Sequence, residues 1–399
     1  MLSQRIICVT SRDLRSPFLS LVRKRTTASA ASTKIGTIEN INVSGQPFEE
    51  IPGPKGIQSW NKIGSRFMFY PFTKYRIETL HKLFDTFHDK YGKIVRFQLG
   101  SWAVLVSDID DITTIFKNDA KYPVRRTFPM IAKYFERNKA NVSPTLAVLE
   151  GLIHVKDALA EIEKKKKDGT LDPNEPNFLL SMITEKRLTI PQIVSITLDL
   201  FNGGTDSTAK NLAWNLYHLA NNKDKQDRLY EEIKNVLGTE TEIKAEHINK
   251  MSYLQASLKE TFRLTFPTLC GTSRVLDHDI ILSGYNIPKG TVILTNNRRV
   301  VLDEDVINEP FKYMPERWLR DKSGKRVNDI PTMALLPFGF GVRNCPGRRF
   351  AEMEIYLGVA KIIQNLAVTL APGSKHPDVE YHTFAAPSHA IDLKFKPRH

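Results

Sequence analysis

Residues 338–347, Phe338-Gly339-Phe340-Gly341-Val342-Arg343-Asn344-Cys345-Pro346-Gly347, restrict the fold of this 399-residue chain more than any other stretch. Glycines at 339, 341 and 347 permit backbone conformations and close approaches that a Cβ would forbid. Pro346 suits the first position of a helix, where a missing N–H costs nothing. The run that follows, 348–366, spaces Phe350, Met353, Ile355, Leu357, Ile362 and Ile363 as a mostly buried helix would. Cys345 is therefore expected at a helix N-terminus, where free N–H groups and the helix dipole favour a thiolate. On the residues alone, the alternative is a buried structural cysteine in an ordinary loop.

The string fits F-x-x-G-x-R-x-C-x-G at every fixed position and resembles the haem-binding signature of the cytochromes P450. The resemblance implies haem b with Cys345 as the axial thiolate to iron, a ligand that assists O–O cleavage. It also implies that Arg343 reaches a haem propionate and that Phe338 covers the sulfur side of the ring. Gly339 and Gly347 would let the backbone approach the macrocycle. The expected fold is mainly α with small β-sheets (α+β).

Three cysteines, Cys8, Cys270 and Cys345, make no disulfide framework and suit a reducing compartment. Cys270 follows Pro267 and Leu269 and reads as packing. No stretch has the eighteen or so uninterrupted apolar residues of a membrane span. Residues 1–38 hold seven basic residues and one acid, with frequent serine and threonine and interleaved apolar positions, as in a mitochondrial presequence. The alternative there is a basic tail. Without this segment the net charge falls from +13 to +7, since 50 basic residues then face 43 acidic ones. That balance suits an acidic partner or an anionic membrane surface and peripheral association with it. Nucleic acid is not expected, because no aromatic-interleaved basic patch or zinc spacing occurs.

The folded region is expected over 39–399. Its first part, 39–150, opens with a stiff turn-rich segment at 48–56, then an amphipathic helix at 77–91. Two strands at 93–99 and 102–106 flank Gly100-Ser101 as a hairpin, and a short helix covers 110–117. Residues 151–177 form a junction, with a charged, Pro-containing linker at 164–176. The last part, 178–399, begins with a long, mostly apolar helix at 190–221 and a charged helix at 223–237. Short strands and turns follow over 277–294.

Inside the long helix lies Phe201-Asn202-Gly203-Gly204-Thr205-Asp206-Ser207-Thr208. Paired glycines in a helix interior cost stability, so a reason is expected. Gly203 and Gly204 would let a bulky ligand lie against the backbone, and Asp206, Ser207 and Thr208 offer a proton relay. A kinked core helix is the alternative. The segment resembles the family's oxygen-activating helix, with Ser207 where threonine is usual. Glu260 and Arg263, an (i, i+3) pair, together with Arg317 in Met314-Pro315-Glu316-Arg317-Trp318, resemble the family's buried structural triad. Arg274 matches a position that often contacts a propionate.

Arg348 and Arg349 after the cysteine resemble the mitochondrial branch, and Lys259 matches a lysine position on the same proximal face. The resemblance implies docking of an acidic [2Fe–2S] ferredoxin there, with electrons from NADPH through a ferredoxin reductase. Ordinary surface charge is the alternative. The implied activity is monooxygenation by O2 of a lipophilic substrate (sterol, steroid or secosteroid-like, or xenobiotic) at the matrix side of the mitochondrial inner membrane. The resemblance covers roughly 48–150 and 178–399. No Trp-x-x-x-Arg occurs between Gly151 and the long helix, and about a hundred residues carrying several helices are expected to be missing at this junction. Two functions follow from this. One is a working monooxygenase with a reduced roof over the substrate. The other is a haem-poor, truncated variant acting only as a non-catalytic binder of ferredoxin.

Overall fold

The computed structural model describes residues 45–56, 65–99, 101–120, 123, 146–170, 178–184, 187–321, 323–324, 328 and 330–398. The presequence expected at 1–38, with Cys8, lies outside them. Among the described residues the helices run in this order: α1 Leu80–Tyr91, α2 Ile109–Lys117, α3 Leu146–Lys167, α4 Phe178–Thr184, α5 Ile190–Asn221, α6 Lys223–Leu237, α7 Ala245–Lys250, α8 Ser252–Leu264, α9 Asn297–Val300 and α10 Arg348–Asn365. The strands are β1 Ile94–Leu99, β2 Ser101–Val106, β3 Ser273–Val275, β4 Ile280–Leu282, β5 Tyr285–Ile287, β6 Val292–Thr295, β7 Leu366–Leu370, β8 Val379–Tyr381, β9 Ala385–Pro387 and β10 Leu393–Pro397. The architecture is mainly helical with small sheets.

The chain divides into two compact units. One is built from Ile41–Arg126 and Asp206–His399, the other from Thr127–Thr205. The second unit holds α3, α4 and the first half of α5. Residues 164–167, expected in a linker, are instead the last turn of α3. Alanine, glutamate and lysine are strong helix formers, and cations complement the carbonyl end of a helix. Lys165 pairs with Glu161 at 3.6 Å, and the helix stops where Gly169 turns left-handed at φ 66°. The junction at Gly151 accordingly lies within a helix.

In the larger unit, strand order β1-β2-β6-β3 makes a four-stranded sheet, with β2 and β6 parallel and the other pairs antiparallel. Alternate residues of the hairpin face opposite cores. Val95, Phe97 and Leu105 pack under α1 with Phe84 and Phe87, while Ile94, Val104 and Val106 join Ile112, Ile115 and Ile293. Burial on both faces explains why Ala103 to Val106 is apolar without alternation. Asp108 caps α2, its carboxylate accepting from the Asp110 and Asp111 amides at 2.9 and 3.2 Å. A third core joins the second half of α5 to α6, α8 and α10 through Trp214, Leu229, Ile233, Phe262, Val359 and Ile363. In α6 the buried residues Gln226, Leu229, Ile233 and Leu237 fall at spacings of three and four, one helical stripe.

Glu260 and Arg263 are fully buried in α8, and Arg317 is 2% exposed. The Glu260 carboxylate accepts from Arg263 Nε and Nη2 at 2.9 and 2.7 Å and from Arg317 Nε at 3.0 Å. The Met314 amide and the Trp318 indole complete its shell, both at 2.9 Å. The guanidinium groups then donate outward to the carbonyls of Val301, Asn308, Glu309, Pro310 and Lys312. One carboxylate thus organises two arginines, and the arginines hold a loop from 301 to 318 that has little regular structure of its own.

Burial lowers the pKa of His88, and of two further histidines by more. His218 stacks on Tyr313 at 5.0 Å, and burial, helped by the Arg263 charge, lowers its pKa to about 3. Burial and the nearby Arg298 lower His81 to about 3 as well.

Replacing Glu260 by Gln keeps the shape but strands two buried cations, so urea unfolding is expected to show a loss of about 3–5 kcal/mol. A loss below about 1 kcal/mol contradicts the network's role. Because His218 and His81 bind fewer protons in the folded than in the unfolded chain between pH 3 and 6.5, their contribution to stability is full above pH 6.5 and falls as pH drops through that window. His218 alone accounts for about 1.4 kcal/mol per pH unit there. His218→Phe is expected to flatten the urea-midpoint profile over that window.

Candidate functional site

The cysteine loop is shaped by its own backbone. Gly339 and Gly341 are left-handed, at φ 79° and 68°, where a side chain is disfavoured. The Gly339 amide donates to Leu336 O at 3.0 Å, the Asn344 amide to Gly341 O at 3.1 Å, and the Cys345 amide to Phe338 O at 2.8 Å. This last bond closes the loop and presents Cys345 exposed at its tip. Gly347 differs from expectation: its φ of −84° needs no glycine, and an added Cβ would meet only Cys345 Sγ at 3.9 Å. It is the N-cap of α10, so Pro346 precedes the helix and does not start it. Phe350 also departs from the buried pattern, at 58% exposed, because the first turn of α10 projects beyond the core that covers Ile355, Val359 and Ile363.

Two sets of contacts hold this loop. On one side, Phe338 meets Phe262 edge-on at 5.4 Å, so the helix that carries Glu260 and Arg263 also braces the cysteine loop. The Arg348 guanidinium lies over the same Phe338 ring, 5.4 Å from its centre, and pairs with Glu352 at 3.1 Å. On the other side, Arg274 of β3 donates through Nη2 to Phe340 O at 3.1 Å. Arg274 is fully buried, and its Nε donates to Asp119 at 2.5 Å. Arg343 is exposed and its Nε donates to Pro123 O at 2.9 Å. Lys259 and Arg349 are exposed.

In α5, Asp206 accepts from Lys210 at 2.7 Å, one turn on, and the Lys210 side chain is 7% exposed. The Ser207 carbonyl accepts from Asn211 at 2.8 Å. Thr208 Oγ1 is buried without a hydrogen-bond partner among the described residues. A Cβ added at Gly203 or Gly204 would meet no atom of the described residues within 4 Å outside the helix's own turns. Buried hydroxyls without partners are uncommon and call for a ligand or water. The exposed thiol of Cys345, on a loop fixed by its own hydrogen bonds, fits the role of a thiolate ligand to a haem iron. Cys270 does not fit that role, since burial pushes its thiol up to about 12.

The structure thus brings together Glu260, Arg263 and Arg317, and sets Arg274, Phe338, Gly339 and Arg348 around the cysteine loop. Sequence reading misses Lys210 and Asp119. The first carries a signal, an acid followed by lysine at (i, i+4). The second carries none, because its partner lies 155 positions away.

The family model for cytochrome P450 matches residues 147–395. The chain is 31% identical over 246 residues to cytochrome P450 27C1 of Danio rerio, covering 62% of this chain and 44% of that protein. It is 34% identical over 222 residues to the mitochondrial 1,25-dihydroxyvitamin D(3) 24-hydroxylase of Rattus norvegicus, covering 56% of this chain and 42% of that one. It is 33% identical over 264 residues to the probable mitochondrial cytochrome P450 12d1 proximal of Drosophila melanogaster, covering 66% of this chain and 49% of that one. The chain thus spans less than half the length of these curated relatives. With a family match running from the N-terminal part of α3 through the cysteine loop to β10, this chain belongs to the cytochrome P450 family.

Proposed function

We propose that the chain is a haem-thiolate monooxygenase of the mitochondrial, ferredoxin-dependent type, acting on a lipophilic substrate at the matrix side of the inner membrane. The observation that carries this reading is Cys345, exposed at the tip of a loop whose backbone is fixed independently of any ligand. Bound at that thiolate, haem b supplies activation of O2 and transfer of one oxygen atom to a C–H bond. Arg343 would neutralise a propionate from the loop itself. Phe338, packed on Phe262, would shield the sulfur from water. Gly203 and Gly204 would allow close approach to the long helix. Asp206, held by Lys210, would exchange protons with solvent, and Ser207 and Thr208 would pass them on through bound water.

The exposed cations Lys259, Arg348 and Arg349 support docking of an acidic ferredoxin reduced by NADPH through its reductase. The mitochondrial names of the rat and fly relatives support the compartment, and the rat protein's name, a hydroxylase of a vitamin D derivative, supports a secosteroid-like or sterol-like substrate. No helix of the described residues is long and apolar enough to cross a membrane, and peripheral attachment fits the basic net charge of the sequence.

Reconstitution with haem, NADPH, ferredoxin and ferredoxin reductase tests this reading on a panel of sterols and secosteroids. The expected result is a product carrying one atom of labelled dioxygen, dependent on ferredoxin and lost in Cys345→Ser. The pair Arg348→Glu and Arg349→Glu is expected to raise the ferredoxin KM about tenfold at low salt, with a smaller effect at high salt. Ferredoxin binding without haem uptake would instead identify a non-catalytic competitor for the electron carrier. Absence of both overturns the reading.

A further inference from the structure

The geometry points to Asp119 as a positioning residue for the cysteine loop, acting through Arg274. Asp119 lies just past the C-cap of α2, and its side chain is 11% exposed. Its carboxylate accepts from Arg274 Nε at 2.5 Å. The same guanidinium donates to Ser273 O and to Phe340 O, both at 3.1 Å. It also lies 5.0 Å above the ring of Phe116, which comes from the last turn of α2 and meets the ring of Phe340 at 5.3 Å. The end of α2 therefore contributes two groups, Phe116 and Asp119, that converge on one buried arginine, and that arginine grips the backbone of the cysteine loop.

A guanidinium buried in this way needs a counter-charge, and its planar fork can satisfy partners in several directions at once. Asp119 supplies the charge and fixes the plane of the fork. With the plane fixed, Nη2 aims at Phe340 O. Phe340 is two residues beyond Phe338, whose carbonyl accepts the Cys345 amide, so the tether acts on the turn that presents the sulfur. The Glu260 network braces the loop from the Phe338 side only. Asp119 and Arg274 form a second latch on the Phe340 side, made of residues that share no hydrogen bond with the first. Arg274 is thereby given a task in shaping the loop, with its charge balanced from within the protein.

This role rests on Cys345 being the iron ligand, but amide hydrogen exchange on the haem-free chain tests the latch without haem. Failure of haem uptake and failure of the latch are then separate results. In Asp119→Asn, the segment 336–347 is expected to exchange about tenfold faster than in the wild type, with α6 unchanged. Asp119→Glu is expected to restore most of the protection. Because Asp119→Asn strands a buried cation, the double variant Asp119→Leu with Arg274→Met serves as a control that removes both charges. The latch requires that 336–347 still exchange faster there while α6 keeps its protection. Wild-type exchange of 336–347 in the double variant overturns the proposal, as does loosening spread equally over 336–347 and α6.

Discussion

The Glu260 carboxylate is the interaction on which the larger unit depends. It is fully buried, yet it accepts from two arginines, an indole and a backbone amide. The arginines carry its influence to five carbonyls of a segment with almost no regular structure. A loop of that kind has no ladder to satisfy its polar groups, so side chains must do it. Removing the carboxylate would leave both cations uncompensated at buried positions. Through Phe262, the same helix presses on Phe338 and so on the loop that carries Cys345.

The cysteine loop is thus held by packing on one face and by a charged tether on the other. Its glycines supply left-handed turns at 339 and 341, and the bond from the Cys345 amide to Phe338 O closes it. Such pre-organisation would suit a metal ligand, because surrounding hydrogen bonds decide where the sulfur points before any metal binds. Exposure of Cys345 and partial burial of Cys270 separate a thiol suited to ligation from one suited to packing.

Much of this is legible in the sequence because it is local. The helices at Ile190–Asn221 and Lys223–Leu237 follow from apolar spacing, and the hairpin follows from two β-rich runs around Gly100-Ser101. The loop signature marks Cys345 because glycine and cysteine positions within ten residues suffice to define it. The misses have physical causes. The lysines at 164–167 look like a linker by charge, but helix propensity and the dipole place them in α3. Gly347 looks conformationally special and is a plain N-cap. Phe350 fits the helical stripe but lies beyond the reach of the core. Asp119 is invisible because an ion pair across 155 positions leaves no periodic trace.

We propose that Cys345 is the thiolate ligand of a haem held by this chain. The absorption spectrum of the reduced, carbon monoxide-bound protein tests it most directly. The expected result is the long-wavelength Soret band of a thiolate-ligated haem, lost when Cys345 is replaced by serine. A Soret band at the position given by a neutral ligand, or a thiolate-type band that survives in Cys345→Ser, would contradict it.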